Sequence, residues 1–301
     1  MNKLKAMSIF VKIVECGSLT GAADKLFMSQ SSVVRALASL EKELDTQLLY
    51  RTTRRLKLTE EGEEYFKRCR HILLDIEDAE NALNQRQTSP KGIIRITAPI
   101  TFGRLHLAPV INEFLAEYPE MEVELLLLDR VVDLIEEGMD IALRIGPLPD
   151  STLMAKQVGE VSYKVCGSPD LIDSEGKPSH PTELNKFSCI HLTALASHAK
   201  WPFYDKGTLH KISVNGRYKT NHVETALDAC KQGLGYGQFL SYQVASFIEK
   251  GELLPVLQKF ETNPLPVNLV YPHSRQLSSR SRVFIDWAIP RLKRRLSGMG
   301  S

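Results

Sequence analysis

The residues whose types suit chemistry are concentrated near the amino terminus, in a run of polar side chains that interrupts an apolar pattern. The run comprises Ser29, Gln30, Ser31, Ser32 and Arg35. Glutamine can pair with adenine, arginine can pair with guanine O6 and N7, and serine is short enough to bond bases or phosphates. A helix that opens with such residues is typical of one whose first turn enters the major groove of DNA.

A second group of basic and polar side chains follows, between two short extended runs. Its candidate contact residues are Arg51, Thr53, Arg54, Arg55 and Lys57. The flanking runs predict a β-hairpin, or wing, whose tip would meet phosphates or a narrow minor groove. A basic tip alone is usually a solvated surface, but its position directly after the predicted reading helix favours DNA contact.

The distribution of charge supports a nucleic-acid partner at this end of the chain. Residues 1–60 hold 10 Lys and Arg against 6 Asp and Glu, whereas the whole 301-residue chain has a formal net charge of only +2. A basic head on a nearly neutral body is typical of a nucleic-acid-binding domain attached to a second domain.

Three helices are predicted to position the reading residues. Gly17 would end the first helix, and Ser18 and Ser29 would cap the second and third. The third helix would follow the second after a short turn, as in a helix-turn-helix. Apolar residues recur at three- and four-residue steps, at Leu4, Met7, Val11 and Val14, then Ala22, Ala23 and Leu26, then Val33, Leu37, Leu40 and Leu44.

A long linker helix is predicted from Thr59 to about residue 87. Its apolar residues alternate steps of four and three, which is the pattern of a coiled-coil seam. We therefore expect a homodimer that holds two reading helices at one separation and binds a pseudo-palindromic DNA site. The alternative is that the stripe packs on the chain's own carboxyl-terminal domain. The predicted dimerisation residues are Tyr65, Cys69, Ile72, Ile76, Ala79 and Leu83.

From residue 93 the pattern changes to alternating strands and helices, which predicts mostly parallel, doubly wound sheets in two lobes. Helices are predicted over about 104–117, 131–138, 222–232, 243–250 and 280–296. Ligands of such sheets bind at the carboxyl ends of strands, near helix N-termini. We therefore expect a cleft that binds a small, anionic metabolite.

Candidate effector contacts follow from the predicted strand ends. The Thr101 hydroxyl and nearby backbone N–H groups would hold a carboxylate, and Trp201 and Phe203 would supply an aromatic wall. Structural interpretations stay open: Thr101 and Asp129 would each cap a helix, and Arg130 would form a surface ion pair. The full set is Pro99, Ile100, Thr101, Asp129, Arg130, Ile145, Gly146, Trp201, Asn221 and Phe239.

The sequence shows no pattern typical of a metal site, a cofactor site or a catalytic site. Five cysteines without a CxxC pair fit a reducing cytoplasm, and the dispersed histidines lack metal-ligand spacing. There is no GxSxG motif, and the glycines of residues 233–237 follow a predicted helix where a dinucleotide loop would follow a strand. No signal peptide or membrane span is visible. We expect a cytoplasmic protein that is not an enzyme and has no catalytic residues, cofactor or metal.

Residues 17–62 closely resemble the winged helix-turn-helix of LysR-type transcriptional regulators, and most of the remaining chain resembles the effector domain of that family. The matching positions include Gly17, Ser18, Ala22, Ala23, Ser29, Gln30, Arg35, Arg51, Thr52, Thr53, Arg54 and Gly62. Three positions of residues 17–62 depart from the family pattern: Val34 stands where Ser or Thr is usual, Asp45 where Gly is usual and Tyr50 where Phe is usual. Further along, Phe239 and Leu240 stand where the family often has Leu and Pro.

The resemblance implies an α+β multidomain fold. An N-terminal winged helix-turn-helix would precede a long linker helix and a C-terminal two-lobed α/β effector domain like a periplasmic binding protein. It also implies homodimers that assemble into homotetramers, and it puts Thr101 where the family places its effector-binding serine or threonine.

The expected domains are a winged helix-turn-helix DNA-binding domain over residues 1–59, a linker helix over 60–88, a hinge over 89–92 and an effector-binding domain over 93–301. Lobe I would hold about 93–162 and 266–301, and lobe II about 163–265. The predicted function is a LysR-type regulator whose operator binding is modulated by a small-molecule effector. The alternatives are a cytoplasmic solute-binding protein with an accessory N-terminal domain and a DNA-binding enzyme.

Overall fold

The computed structural model describes residues 2–50, 56–83, 90–130, 132–134, 136–148, 153–193, 200–272 and 277–297. It divides into two compact units. The first holds residues 1–90 with 133–139 and 275–280, and the second holds 91–132, 140–274 and 281–301.

The amino-terminal unit is a three-helix head followed by a two-stranded wing and a long helix, as the sequence predicts. The two wing strands pair antiparallel, with Leu49 opposite Leu58. The elements are α1 (Lys3–Cys16), α2 (Leu19–Lys25), α3 (Gln30–Leu44), β1 (Leu49–Tyr50), β2 (Lys57–Leu58) and α4 (Glu60–Leu83).

The predicted helix boundaries of the head are confirmed by their capping bonds. The Ser18 hydroxyl accepts the Gly21 N–H at 3.0 Å, and the Ser29 hydroxyl accepts the Ser32 N–H at 3.2 Å. Gly17 ends α1 with φ +62° and Asp45 ends α3 with φ +49°. Both are left-handed, a conformation that costs aspartate more than glycine.

The core of the head explains how close the wing and α4 come. Phe10, Val33 and Leu40 are fully buried in one apolar cluster with the inner residues of all three helices. Gly62, in the first turn of α4, has no room for a side chain because a Cβ there would overlap the Leu48 carbonyl oxygen. Glycine at this position therefore lets α4 start directly against the wing.

The carboxyl-terminal unit alternates strands and helices. Its strands are β3 (Gly92–Ala98), β4 (Met121–Leu127), β5 (Ile141–Ile145), β6 (Met154–Val161), β7 (Tyr163–Gly167), β8 (Cys189–Leu192), β9 (Lys200–Asp205), β10 (Thr208–Ser213), β11 (Tyr218–Thr220), β12 (Tyr236–Leu240), β13 (Leu254–Val256) and β14 (Leu265–Tyr271). Its helices are α5 (Ile100–Phe102), α6 (Ala108–Glu117), α7 (Pro169–Glu175), α8 (Val223–Lys231), α9 (Ser241–Glu249) and α10 (Ser279–Leu296).

Two five-stranded sheets form the centres of the two lobes. The first has the order β4-β3-β5-β14-β6, and the second has the order β11-β8-β12-β7-β13. Strands β9 and β10 pair as a separate hairpin. The chain passes from the first sheet to the second through Ser162 alone, and β14 brings it back.

The prediction of mostly parallel sheets is wrong, because both sheets are mixed. Strand β3 runs parallel to β4 and β5, but β14 runs antiparallel to β5 and β6. In the second sheet, β7 runs antiparallel to β12 and β13. Each sheet contains a strand that arrives from the other lobe, and these crossing strands run against the βαβ units beside them.

The helix predicted over 131–138 is also wrong for the part of it that is described, which forms a single turn. The Asp133 carboxylate accepts the Glu136 N–H at 3.0 Å, and the Met139 N–H reaches back to the Leu134 carbonyl at 2.8 Å. Gly138 has φ +67° and ends the turn. The left-handed glycine stops propagation after one turn.

No single helix among the described residues is long and apolar enough to cross a membrane. Helices α1 and α2 would reach that length only together, and they are bent by 117° at their junction.

Candidate nucleic-acid interface and ligand site

The first turn of α3 presents a polar surface that is organised by its own cap. The Ser29 hydroxyl lies 3.1 Å from the Ser31 hydroxyl and 2.7 Å from the Ser32 hydroxyl. Gln30, Ser31 and Arg35 are exposed, and Arg35 Nε donates to the Ser31 carbonyl at 3.2 Å. The arginine side chain therefore lies along the helix, with its guanidinium available to an acceptor in solvent.

The wing is tied to α3 by Glu41, a residue that the sequence interpretation missed. One carboxylate oxygen of Glu41 accepts the N–H groups of Leu48 at 2.9 Å and Leu49 at 3.3 Å. The available signal was the Leu40-Glu41 pair, an acidic side chain directly after a residue predicted to face inward. Because these two amides belong to the start of the wing, Glu41 sets the position of the wing relative to the reading helix.

The remaining predicted wing contacts are only partly described. Lys57 is exposed, and its Nζ lies 6.0 Å from the centre of the Tyr50 ring. Four predicted contacts lie outside the described residues, namely Arg51, Thr53, Arg54 and Arg55.

The predicted pairing stripe of α4 begins inside the chain's own head. Cys69 is fully buried in the head core, and the Tyr65 ring lies 5.9 Å from the Phe10 ring. Burial raises the pKa of the Cys69 thiol to about 11 and that of Tyr65 to about 12. The first turns of α4 cover α1, with Cys69 in the core and the partly buried Tyr65 packed against it. We therefore remove both residues from the pairing surface.

The later positions of the stripe remain candidates for pairing. Ile72 is 40% exposed and Ile76 is half-buried. The side chains of Ala79 and Leu83 lie outside the described part of the chain.

In the carboxyl-terminal unit, the ends of β3 and β4 are joined where a ligand site was predicted. The Asp129 carboxylate accepts the Ile100 N–H at 3.0 Å, while Pro99 precedes the helix without a side-chain cap. Thr101, in the same turn, is buried. Asp129 therefore performs the capping role left open by the sequence, and an anion that sought the Ile100 N–H would compete with it.

A π-helical turn over Gly103–Leu107 joins α5 to α6 directly beyond this site. π-turns inside α-helical stretches are frequent at functional sites. A Cβ on Gly103 would lie 2.1 Å from Leu127 Cδ2, so a larger residue here would displace the Leu127 side chain. The turn directs Arg104 and His106 toward the second lobe.

Contacts across the two lobes converge on this π-turn. The Tyr242 ring of α9 lies 5.2 Å from the Phe102 ring and 5.5 Å from the His106 ring. Arg104 forms an ion pair with Glu224 in the first turn of α8. The sequence predicted the helix that begins near Arg104 but none of these contacts between the lobes. Arg104 and its partner Glu224, for example, are more than 100 positions apart in the chain.

His106 is the unusual member of this cluster. Its side chain is buried, and its Nε2 has no hydrogen-bond partner among the described residues. Burial, with a further contribution from the charge of Arg295, lowers the pKa of His106 to about 4. The imidazole is therefore neutral at pH 7 and leaves one polar atom unmatched beside the interlobe aromatic contact.

The other predicted effector contacts fall into two groups. Arg130 and Asn221 are exposed, Ile145 is half-buried, and Gly146 has φ +102° and donates its N–H to the Pro266 carbonyl at 2.9 Å. These positions lie at or beside strand and helix ends.

Trp201 and Phe239 lie elsewhere, in the two core clusters of the second lobe. Trp201 belongs to a buried cluster that includes Val165 and Tyr236, and Phe239 belongs to one that includes Cys166 and Val244. Both aromatic side chains fill apolar space that the second sheet must exclude from water. We therefore correct two predictions, that Trp201 and Phe203 form an aromatic wall and that Phe239 contacts the effector at the end of its strand.

Two of the basic residues near the end of α10 contact an acidic residue of the same lobe. Glu113 of α6 lies 3.4 Å from Arg291 and 3.2 Å from Arg295, and Arg291 stacks 3.3 Å above the Trp287 ring.

Among the described residues, no group of three or more His, Cys, Asp or Glu side chains is placed to hold a metal ion.

Two family profiles match the chain and together account for nearly all of it. Residues 4–63 match the family described as bacterial regulatory helix-turn-helix protein, lysR family. Residues 87–293 match the family described as LysR substrate binding domain.

Two relatives match over nearly their full lengths. An HTH-type transcriptional repressor of Pseudomonas aeruginosa is 34% identical over 96% of this chain and 92% of its own. The HTH-type transcriptional activator AaeR of Escherichia coli is 32% identical over 95% of this chain and 93% of its own.

Solved structures agree with the sequence matches. The full-length Vibrio cholerae virulence activator AphB is 30% identical, with a TM-score of 0.64 over 95% of this chain and 98% of its own. CrgA, a regulator from Neisseria meningitidis, is 31% identical, with a TM-score of 0.62 over 96% of this chain and 98% of its own.

Proposed function

Because the chain belongs to the LysR family of transcriptional regulators, we propose that it reads operator DNA through the exposed face of α3 together with the β1–β2 wing. The chain is a DNA-binding regulator whose operator binding is modulated by a small-molecule effector, and it forms oligomers. Its relatives include a repressor and an activator, so membership of the family does not decide the sign of regulation.

The observation that carries the proposed interface is the arrangement of the first turn of α3. Gln30, Ser31 and Arg35 are exposed on one face, while Val33 and Ala36 are buried on the other. Glutamine and arginine have the donors and acceptors that distinguish adenine and guanine in the major groove. The wing would add contacts to phosphates or the minor groove through Arg51, Thr53, Arg54, Arg55 and Lys57.

The DNA-binding domain would end at residue 59, and α4 with the following residues to 88 would act as the linker. Pairing of two linkers would use Ile72, Ile76, Ala79 and Leu83. A dimer built this way would present two copies of α3 to a pseudo-palindromic operator, and two dimers would assemble into a homotetramer.

A hinge at 89–92 would lead into the effector domain, and the effector would bind where β3, β4 and β5 end and α8 and α9 begin. Thr101 would contact it, and Pro99, Ile100, Asp129 and Arg130 would line one side. Ile145, Gly146 and Asn221 would line the other. An anionic metabolite would complement the backbone N–H groups at these helix starts, and it would act through different affinities for two lobe arrangements.

Members of this family are transcriptional regulators and not, in general, enzymes. We extend this to the finer inference that the chain has no turnover and acts in the cytoplasm. Turnover of a bound effector by the purified chain would overturn the first part.

The test of the DNA interface is binding of the full-length chain to a duplex that it selects from a random-sequence library. Arg35→Ala should weaken binding by about 10- to 100-fold, since a good arginine–base pair is worth about 1–3 kcal/mol. Lys12→Ala is the matched control, because Lys12 is a basic residue of α1 engaged with Glu15 at 3.0 Å. Equal affinities of the two variants would refute the interface.

A further inference from the structure

The reading face of the head carries two apolar side chains among its polar ones. Val34 is 43% exposed and Phe27 is 98% exposed. Exposed apolar side chains are common singly, but these two lie on either side of Gln30 in the sequence, next to the proposed contact residues.

Val34 lies on the same face of α3 as the polar reading residues. It follows Gln30 by four positions and directly precedes Arg35, and residues four apart on a helix lie on one face. The neighbouring Val33 is fully buried. Val34 is therefore an apolar surface placed between two side chains that can bond to bases.

An apolar side chain in the major groove has one feature to recognise, the 5-methyl group of thymine. Valine has no donor or acceptor, so at this position it cannot read guanine, cytosine or adenine by hydrogen bonding. Contact with a thymine methyl would bury apolar surface from both partners and leave no polar group unmatched.

Phe27 occupies the turn between α2 and α3 in a conformation that phenylalanine disfavours. Its φ is +51°, and the Met28 N–H closes the end of α2 by donating to the Ala23 carbonyl at 3.0 Å. Glycine or asparagine is usual at such a left-handed helix end, and a residue with a larger side chain is strained there. The ring is nevertheless almost completely exposed, so burial within the head does not offset that strain.

We propose that Val34 and Phe27 are apolar contacts of the operator, Val34 with a thymine 5-methyl group in the major groove and Phe27 with the deoxyribose edge beside it. This proposal rests on the proposed insertion of α3 into the major groove. Phe27 lies before the helix, where insertion of α3 into the major groove would bring the chain to the sugar–phosphate backbone, and contacts to sugars carry no base information. Val34 would therefore contribute sequence preference, and Phe27 would contribute affinity alone.

The test for Val34 uses the duplex selected by the full-length chain and the same duplex with every thymidine replaced by deoxyuridine, which pairs identically but lacks the methyl group. The wild type should bind the deoxyuridine duplex about tenfold more weakly. Removal of one buried methyl group changes affinity about fourfold, equivalent to ~0.8 kcal/mol, and a dimer buries two such groups.

Two variants assign that difference to Val34. Val34→Ser, which has no methyl group, should bind the two duplexes within about twofold of each other, and Val34→Thr, which keeps one, should be intermediate. Equal binding of both duplexes by the wild type would overturn methyl recognition. An undiminished difference in Val34→Ser would assign the methyl contact to another residue and overturn the role of Val34.

The test for Phe27 separates strain from contact. Phe27→Asn should raise the thermal midpoint of the full-length chain and also weaken binding several-fold, by the same factor for different selected duplexes. Lys206→Asn is the matched control, because Lys206 has φ +47° in the β9–β10 turn of the other unit. That variant should gain stability with unchanged DNA affinity. Unchanged affinity of Phe27→Asn would overturn its DNA contact.

These outcomes are distinct from failure of the proposed function. If the wild-type chain selected no duplex at all, the major-groove assignment of α3 would fail. If it selected a duplex and bound the deoxyuridine form equally, only the methyl contact would fail.

Discussion

Replacement of Glu41 by alanine should uncouple the wing from the reading helix. In the folded head, one Glu41 carboxylate oxygen accepts both the Leu48 and Leu49 N–H groups, at 2.9 and 3.3 Å. These two leucines are almost completely buried, at 1% and 6% exposure. Water would therefore reach their amides poorly once the carboxylate is removed.

The size of the effect follows from the number of amides left without an acceptor. A buried donor that loses its partner costs about 1–3 kcal/mol, and Glu41 is itself only partly buried. We expect Glu41→Ala to reduce the free energy of unfolding of the head by about 2–4 kcal/mol. Glu41→Gln, which keeps an acceptor oxygen at the same place, should cost about 1 kcal/mol.

Urea unfolding followed by far-ultraviolet circular dichroism would measure this change. Trp201 and Trp287 both lie beyond residue 93, so tryptophan fluorescence would report unfolding of the effector domain separately. That fluorescence transition should be the same in Glu41→Ala and in the wild type. Displacement of the wing should also weaken DNA binding and flatten the dependence of log affinity on log salt by about 0.9 for each phosphate that the wing no longer neutralises.

Glu43→Ala is the control for Glu41→Ala on the same helix. Glu43 forms a half-exposed ion pair with Lys3 at 3.0 Å, and such a pair contributes about 0–1 kcal/mol. If Glu41→Ala had no larger effect than Glu43→Ala on either stability or salt dependence, the role assigned to Glu41 would be refuted.

Three further predictions concern other parts of the chain. Gly62→Ala should destabilise the head by about 3 kcal/mol, since its Cβ would overlap the Leu48 carbonyl oxygen; an unchanged urea midpoint would contradict this. Thr101→Val should keep the effector-free DNA affinity but lose the response to any metabolite that shifts wild-type binding, and a retained response would remove Thr101 from the site. His106, with its pKa lowered from 6.5 to about 4, binds fewer protons folded than unfolded, so stability should fall as pH drops from about 6.5 to about 4. Between pH 7 and pH 5 this effect of His106 should lower the free energy of unfolding by about 2 kcal/mol. The His106→Phe variant should lack this part of the pH dependence of unfolding.

Local chemistry made the head predictable from sequence. Ser18 and Ser29 are cap residues followed by apolar periodicity, and both accept the expected amide bonds. Gly17 ends α1 because few other residues tolerate φ +62°. Each of these signals depends on neighbours within four positions, so a single sequence is sufficient to recognise it.

Interactions between distant segments could not be predicted in the same way. The Arg104–Glu224 ion pair and the contact of His106 with Tyr242 join elements from opposite lobes. Nothing in the local pattern distinguishes Arg104 from a solvated arginine. The direction of β14 likewise depends on which lobe the chain has just left, a property of the path and not of the strand's own residues.

Aromatic residues near strand ends were ambiguous for a different reason. Trp201 was expected in a ligand wall and lies in the core of the second lobe. Hydrophobicity favours burial against protein and against a ligand equally, so residue type alone does not separate the two. Cys69 on α4 shows the same ambiguity. The spacing of apolar residues on α4 suits a partner helix, but the first part of that stripe packs against α1 of the same chain.

The central claim for this chain is that the head binds DNA through α3 and the wing, while the lobes do not contact DNA and remain available to a metabolite. Hydrogen–deuterium exchange of the full-length chain, with and without its selected duplex, would show which of these two parts contacts DNA. We predict that the duplex slows exchange in residues 27–35 and in the wing, with no comparable change in the strands β3 to β14. Protection confined to the lobes, with exchange in α3 unchanged at saturating duplex, would contradict it.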